Sequence, residues 1–182
     1  MATFSSEWFV EQALAGNMYH ACSTGAVTLS TVSATCTGLV VSNNYGSNKA
    51  LVMYSASFAP STAVAGASVV GLAISAAQYT TAVVHTTPAV IHNAIAVGSN
   101  LKLGAARADA AATLPAAPVW LRPLASVVAA SSITPTKYGE YLGGTIIVPP
   151  GGNISFSYLT TAAVGIAAFS WVEIDKNLVD LP

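Results

Sequence analysis

A chain of 182 residues is long enough for one domain with a sizeable core. Six basic and seven acidic side chains leave a net charge of −1, and charged residues make up only 7% of the chain, where soluble domains usually carry about 25%. There is no basic stripe to neutralise phosphates and no polybasic segment for anionic lipid, so neither nucleic acid nor a membrane is an expected partner. The apolar fraction is 53% and the mean hydropathy +0.61. Residues 50–101 and 141–172 contain no charge at all. The most apolar window, 63–77, is Ala, Gly, Ser and Val, followed by Gln78, Thr80 and Thr81; a membrane span needs about 20 mostly apolar residues. A chain so poor in charge is expected to bury much of its surface against copies of itself or a partner. The alternative is an extracellular barrel kept in solution by a Ser/Thr/Asn surface.

Residues 1–20 form the first unit, an N-terminal arm or short helix. They have no basic leader and no long apolar run, so a secretory signal is not expected. Ser6 is placed to cap a short helix with Glu7 in its first turn. The large side chains Trp8, Phe9, Leu14 and Tyr19 are the candidate partner-docking residues, because aromatic anchors dominate interfaces. The alternative is an ordinary first element packed on its own core. Cys22 and Cys36 are the only cysteines and are expected to be reduced, buried and inert.

Residues 21–182 form the second unit, and from Val27 onward they read as β. The stretch "SNNYGSN" (42–48) reads as a hairpin loop between two apolar strands. It has one Gly and is followed by a strand, so it lacks the spacing and context of a phosphate-binding loop. Over 51–58, Val52, Tyr54, Ala56 and Phe58 alternate with Leu51, Met53, Ser55 and Ser57. Over 69–75, Val70, Leu72 and Ile74 share one face. Residues 99–118 are Ala-rich and are expected to be a short helix or an Ala/Pro loop. Pro123 marks the next run as an edge strand or bent segment. "IIVPPGGNISF" (146–156) reads as strand, turn, strand, with Ile154, Phe156 and Tyr158 pointing in and Asn153, Ser155 and Ser157 out. Phe169 and Trp171 oppose Ala168, Ser170, Val172 and Ile174. Eight to ten short strands with long-range pairing predict an all-β, antiparallel, jelly-roll-like β-sandwich carrying an N-terminal arm.

Few residues suggest chemistry. His85 and His92 are seven apart, which on one strand would put them on opposite faces, with no carboxylate nearby in sequence. Glu173 follows Trp171 on the same face and is expected to be partly buried, with Asp175 two residues on; a polar strand end is a better reading of them than a glycosidase pair. Cys22 lies near His20, and no serine sits in a nucleophile elbow. No metal, cofactor or catalytic residue is expected, and the chain reads as a non-enzyme.

The segments "GNMYHACSTGAVTLS", "GLVVSNNYGSNKALVMYSASF", "NLKLGAARADAAATLPAAPVWLRPL", "GGTIIVPPGGNISFSY" and "AAFSWVEI" resemble, in order, small virion proteins of tailed bacteriophages of the capsid decoration (cement) or head-fibre type. The resemblance covers most of residues 16–175. It implies a jelly roll, often trimeric, that docks on the major capsid protein at the capsid surface after synthesis in the host cytoplasm. Two alternatives stand beside it. One is a host-surface or glycan-binding fibre or tail domain using Tyr45, Tyr79, Tyr138 and Tyr141. The other is a metal-dependent jelly-roll enzyme using His85 and His92.

Overall fold

The computed structural model describes residues 4–95, 104–128 and 137–178. A helix, α1 (Ser6–Leu14), precedes β1 (Met18–Cys22), β2 (Val27–Thr28), β3 (Thr35–Asn43), β4 (Lys49–Pro60), β5 (Ser68–Ile74), β6 (Val84–Pro88), β7 (Ile91–Asn93), β8 (Ala106–Thr113), β9 (Val119–Val127), β10 (Tyr138–Tyr141), β11 (Ile147–Val148), β12 (Asn153–Leu159) and β13 (Val164–Asp175). A 3-10 turn, Lys176–Leu178, follows. One sheet runs β10-β4-β13-β1-β7, with β11 beside β4 and β2 beside β13; the other runs β6-β8-β3-β12-β5-β9. Phe58, Phe169 and Trp171 of the first sheet meet Leu39, Leu72 and Phe156 of the second in one buried core.

Without β6, β7 and β8, the order β1-β13-β4-β10 faces β3-β12-β5-β9. Chain order then alternates between the sheets, except from β5 to β9, which are neighbours in the second, as a rolled double Greek key, the jelly roll. The segment between β5 and β9 supplies the extra strands: β8 and β6 extend the second sheet beyond β3, and β7 extends the first beyond β1.

Several local expectations change. The 42–48 loop is not a hairpin, because β3 and β4 lie in different sheets. It carries the chain from one layer to the other. Asn43, which is buried, holds the crossing by donating from Nδ2 to the carbonyls of Lys49 (2.8 Å) and Val148 (3.1 Å). The Pro-Gly turn at 149–152 crosses between layers beside it, with Gly151 N–H donating to the Asn43 carbonyl.

In β4 the simple alternation fails. The pairing with β13 shifts between Ser170 and Trp171, so Ser55 opposes Ser170 and Met53 opposes Trp171, leaving Tyr54 as the extra residue. This β-bulge re-phases the strand. Leu51, Met53, Ala56 and Phe58 all reach the interior, while Val52 and Tyr54 point outward.

The Ala-rich stretch is the second correction: 106–113 is a strand, not a helix or loop, and 99–103 lie outside the described residues. β8 is paired on both sides, by β3 and β6. Two ladders of backbone hydrogen bonds outweigh a helix propensity of a few tenths of a kcal/mol per residue. β9, with Pro123, is the sheet-edge strand expected, and its register slips twice against β5.

In β12, Ile154, Phe156 and Tyr158 face the core as expected. Ser155 and Ser157 point the other way yet are fully buried. The chain at Ser30 runs beside this strand, bridging Ser157 and accepting from Tyr158 N–H. Gly38, at φ 119°, bends β3 to admit this crossing.

Candidate interaction surface

The arm is a helix docked on the outer face of the first sheet. Ser5, rather than Ser6, is the N-cap, its side chain accepting from Trp8 N–H at 3.1 Å. Gly16 ends the helix with φ 71°, and its carbonyl accepts from buried Asn93 of β7. Phe9 packs into a second apolar cluster formed by Met18, Ala50, Val52, Val172 and Ile174. Its ring centroid is 4.7 Å from that of Tyr54, and Tyr54 stands edge-on to Tyr141 at 5.1 Å.

Two of the four docking candidates are therefore core residues. Phe9 and Tyr19 are each only 2% exposed. Phe9 sits beneath the helix, and Tyr19 lies inside the sandwich on β1, stacked 6.2 Å from Trp171. Residues 18–20 belong to β1, so the boundary drawn at residue 20 cuts through a central strand. Trp8 is half-buried on the rim of the cluster. Leu14 is 78% exposed and, with Val10 one turn earlier, forms an outward apolar ridge on α1.

Beyond the bulge, the same sheet face is open. Its outward positions on β4 and β13 are Ser55, Ser57, Ala59, Ile166, Ala168 and Ser170, all half-buried or exposed. Gly139 continues the face on β10, and His20 and Cys22 on β1. None of these outward strand positions holds an acid, a lysine or an arginine; Lys137 borders them at the β10 edge. Cys22 is exposed rather than buried, because the strand alternation that sends Ala21 inward sends Cys22 out; Cys36 is buried as expected.

The two histidines weighed as a metal pair go to different sheets. His85, on β6, places Nδ1 2.6 Å from Oδ2 of Asp109 on β8. Asp109 is fully buried, and its Oδ1 has no protein partner among the described residues. With Arg107 they border a cavity of about 550 Å³ whose remaining described lining is Gly, Ala, Pro, Val and Ile. A buried carboxylate behind an imidazole can orient a base or a hydrogen-bond donor. No hydroxyl or thiol lines this cavity among the described residues. Sequence reading missed this pair. The usable signal was an acid two residues from Arg107 in a stretch that, once seen as a strand, had to find a partner for Asp109. His92, on β7, faces His20 across the other sheet. Among the described residues no group of three or more His, Cys, Asp and Glu is placed to hold a metal.

Glu173 is buried on the Trp171 face, as expected. It accepts from Ala105 N–H (2.7 Å), Ala106 N–H (3.0 Å) and Trp171 Nε1–H (3.2 Å). The carboxylate thus clips the end of β13 to the start of β8, joining the two sheets. Burial, and after it the Glu173 charge, pushes the Tyr19 phenol above its ordinary pKa. Asp175 is exposed and accepts from Lys49 Nζ at 2.7 Å. The two carboxylates have separate structural partners, which accounts for both without catalysis.

The four tyrosines separate into two places. Tyr45 is half-exposed in the 44–48 crossing loop, and Tyr79 N–H donates to the Gly151 carbonyl at the same end. Tyr138 and Tyr141 lie on β10, at the edge of the first sheet. Among the described residues no helix is long and apolar enough to cross a membrane. Comparison of the chain with protein-family models, with curated proteins and with solved structures finds no match in any of the three.

Proposed function

We propose that this chain is a structural protein of a tailed-bacteriophage virion, a capsid decoration (cement) protein that binds between major capsid subunits and self-associates, as a homotrimer. The observation that carries the reading is the open half of the first sheet's outer face. Ser55, Ser57, Ala59, Ala168 and Ser170, with the exposed Ile166 among them, make a surface of mostly small side chains with no acid, lysine or arginine. Such a surface loses little side-chain entropy on contact and buries no charge, so it suits close packing against another protein. The ridge of Leu14 and Val10, with Trp8 beside it, supplies the larger apolar contacts. Each contact contributes about 25 cal/mol per Å² of apolar area before ordering costs, and lattice symmetry multiplies weak contacts through avidity. No catalytic role is assigned to any residue. The test is a light-scattering mass of the purified chain at micromolar concentration, followed by co-purification with particles of the same phage's major capsid protein. An oligomer that joins the particles is the expected result. A stable monomer that stays off them overturns the reading.

A second reading, a host-surface or glycan-binding domain, is favoured by one observation. Tyr45 lines a cleft of about 140 Å³ with Asn44, Thr81 and Arg107. An exposed ring beside amide, hydroxyl and guanidinium groups is suited to stack on and hydrogen-bond a sugar. Glycan-array binding lost in Tyr45→Ala supports it, and a blank array disposes of it.

A further inference from the structure

The open sheet face carries one chemical cluster that neither reading uses. His20 on β1 and His92 on β7 are directly opposed in an antiparallel pair. Directly opposed residues point to the same side of a sheet, with Cα atoms about 4.5–5.5 Å apart. That side is the outer one, because the neighbours Tyr19, Ala21 and Ile91 pack into the core. On its other flank, His20 opposes Ser170, and His20 Nδ1 lies 2.8 Å from Ser170 Oγ. With Nδ1–H donating to that hydroxyl, the ring is held and the Nε2 lone pair is free beside His92. Metal-binding histidines are held in this way, the second ring nitrogen engaged by an outer group that fixes the tautomer.

The geometry points to a two-histidine site for a divalent transition cation, with Nε2 of His20 and the imidazole of His92 as ligands and Ser170 as the positioning residue. The outward positions of β1, β7 and β13 around the pair carry no lysine or arginine to repel a cation. Two imidazoles select Zn²⁺, Ni²⁺ or Cu²⁺ over Mg²⁺ and Ca²⁺, which take oxygen ligands. Because no third His, Cys, Asp or Glu completes the set among the described residues, further coordination positions remain for water or for donors from another molecule.

The experiment is calorimetric titration of the chelator-stripped full chain with Zn²⁺ and Ni²⁺, with Mg²⁺ as the comparison ion. Saturable Zn²⁺ or Ni²⁺ binding is expected, with none for Mg²⁺. His92→Ala and His20→Ala each weaken it at least tenfold, while His85→Ala, on the other sheet, leaves it unchanged. Ser170→Ala weakens it about tenfold, the usual cost of losing an outer-shell partner, whereas a merely structural serine would leave metal affinity untouched. Thermal unfolding of each variant without metal shows that the fold survives; His92, exposed on a short edge strand, is the substitution best tolerated. Absence of saturable binding, or binding equal in wild type, His20→Ala and His92→Ala, overturns the proposal.

Discussion

The two halves of the first sheet's outer face are built on the same strands and end in opposite ways. On one side of the β4 bulge the outward residues are Val52, Tyr54, Val172 and Ile174, and α1 covers them. On the other side they are Ser55, Ser57, Ala168 and Ser170, half-buried and without a helix above them. Ordering a nine-residue helix costs about 1–2 kcal/mol of backbone entropy per residue. Large apolar side chains on both surfaces offset that cost, at about 1.5–3 kcal/mol for each one fully buried. A face of serine and alanine with one exposed isoleucine, Ile166, offers less apolar area to hold a helix of its own chain, and it carries no acid, lysine or arginine. The contrast therefore separates a surface completed within the chain from one that the described residues leave uncovered.

The bulge at Tyr54 draws the line between the halves, and the largest effect is expected in the covered one. Phe9→Ala attacks the covered half alone. It is expected to cost about 3–4 kcal/mol in denaturant unfolding, since Phe9 is buried among five cluster partners and the rings of Trp8 and Tyr54. Glu173→Ala tests the clip beneath that half: two buried donors and one half-buried donor lose their acceptor, with an expected cost of about 3 kcal/mol. Ser57→Lys tests the open half. Stability is expected to stay within about 0.5 kcal/mol of wild type while the light-scattering mass falls toward monomer. Leu14→Ala, at a site 78% exposed, is the smallest change, within about 0.5 kcal/mol in stability. If Phe9→Ala proved as harmless as Leu14→Ala, the covered half would not be a core.

Much of the sandwich was legible from alternation. The strands carrying Val70, Leu72 and Ile74, or Ile154 and Phe156, needed no tertiary information, because their larger apolar residues recur at every second position and point to the core. The burial of Glu173 on the Trp171 face was also legible, since strand period alone places them together. Phe9 and Tyr19 were misplaced because size and aromaticity do not distinguish an anchor for a partner from an anchor for the chain's own sheet. The His85–Asp109 pair was hidden inside an alanine run whose composition favours helix. The partnership of His20 with His92 joins residues 72 positions apart through β1 and β7, and no local pattern signals it.

Composition and period by themselves determined that this chain is an all-β sandwich with little charge and a distinct first element. Both are properties of local side-chain order, and hydrophobic burial reads them directly. Only the tertiary structure decided that the 42–48 loop crosses between layers, that the alanine run is a strand, and that the bulge splits one face into a covered and an open half. Those outcomes depend on which strands become neighbours. Backbone hydrogen bonds to a neighbouring strand outweigh local propensity, and register against that neighbour, not the strand's own sequence, sets where alternation changes phase.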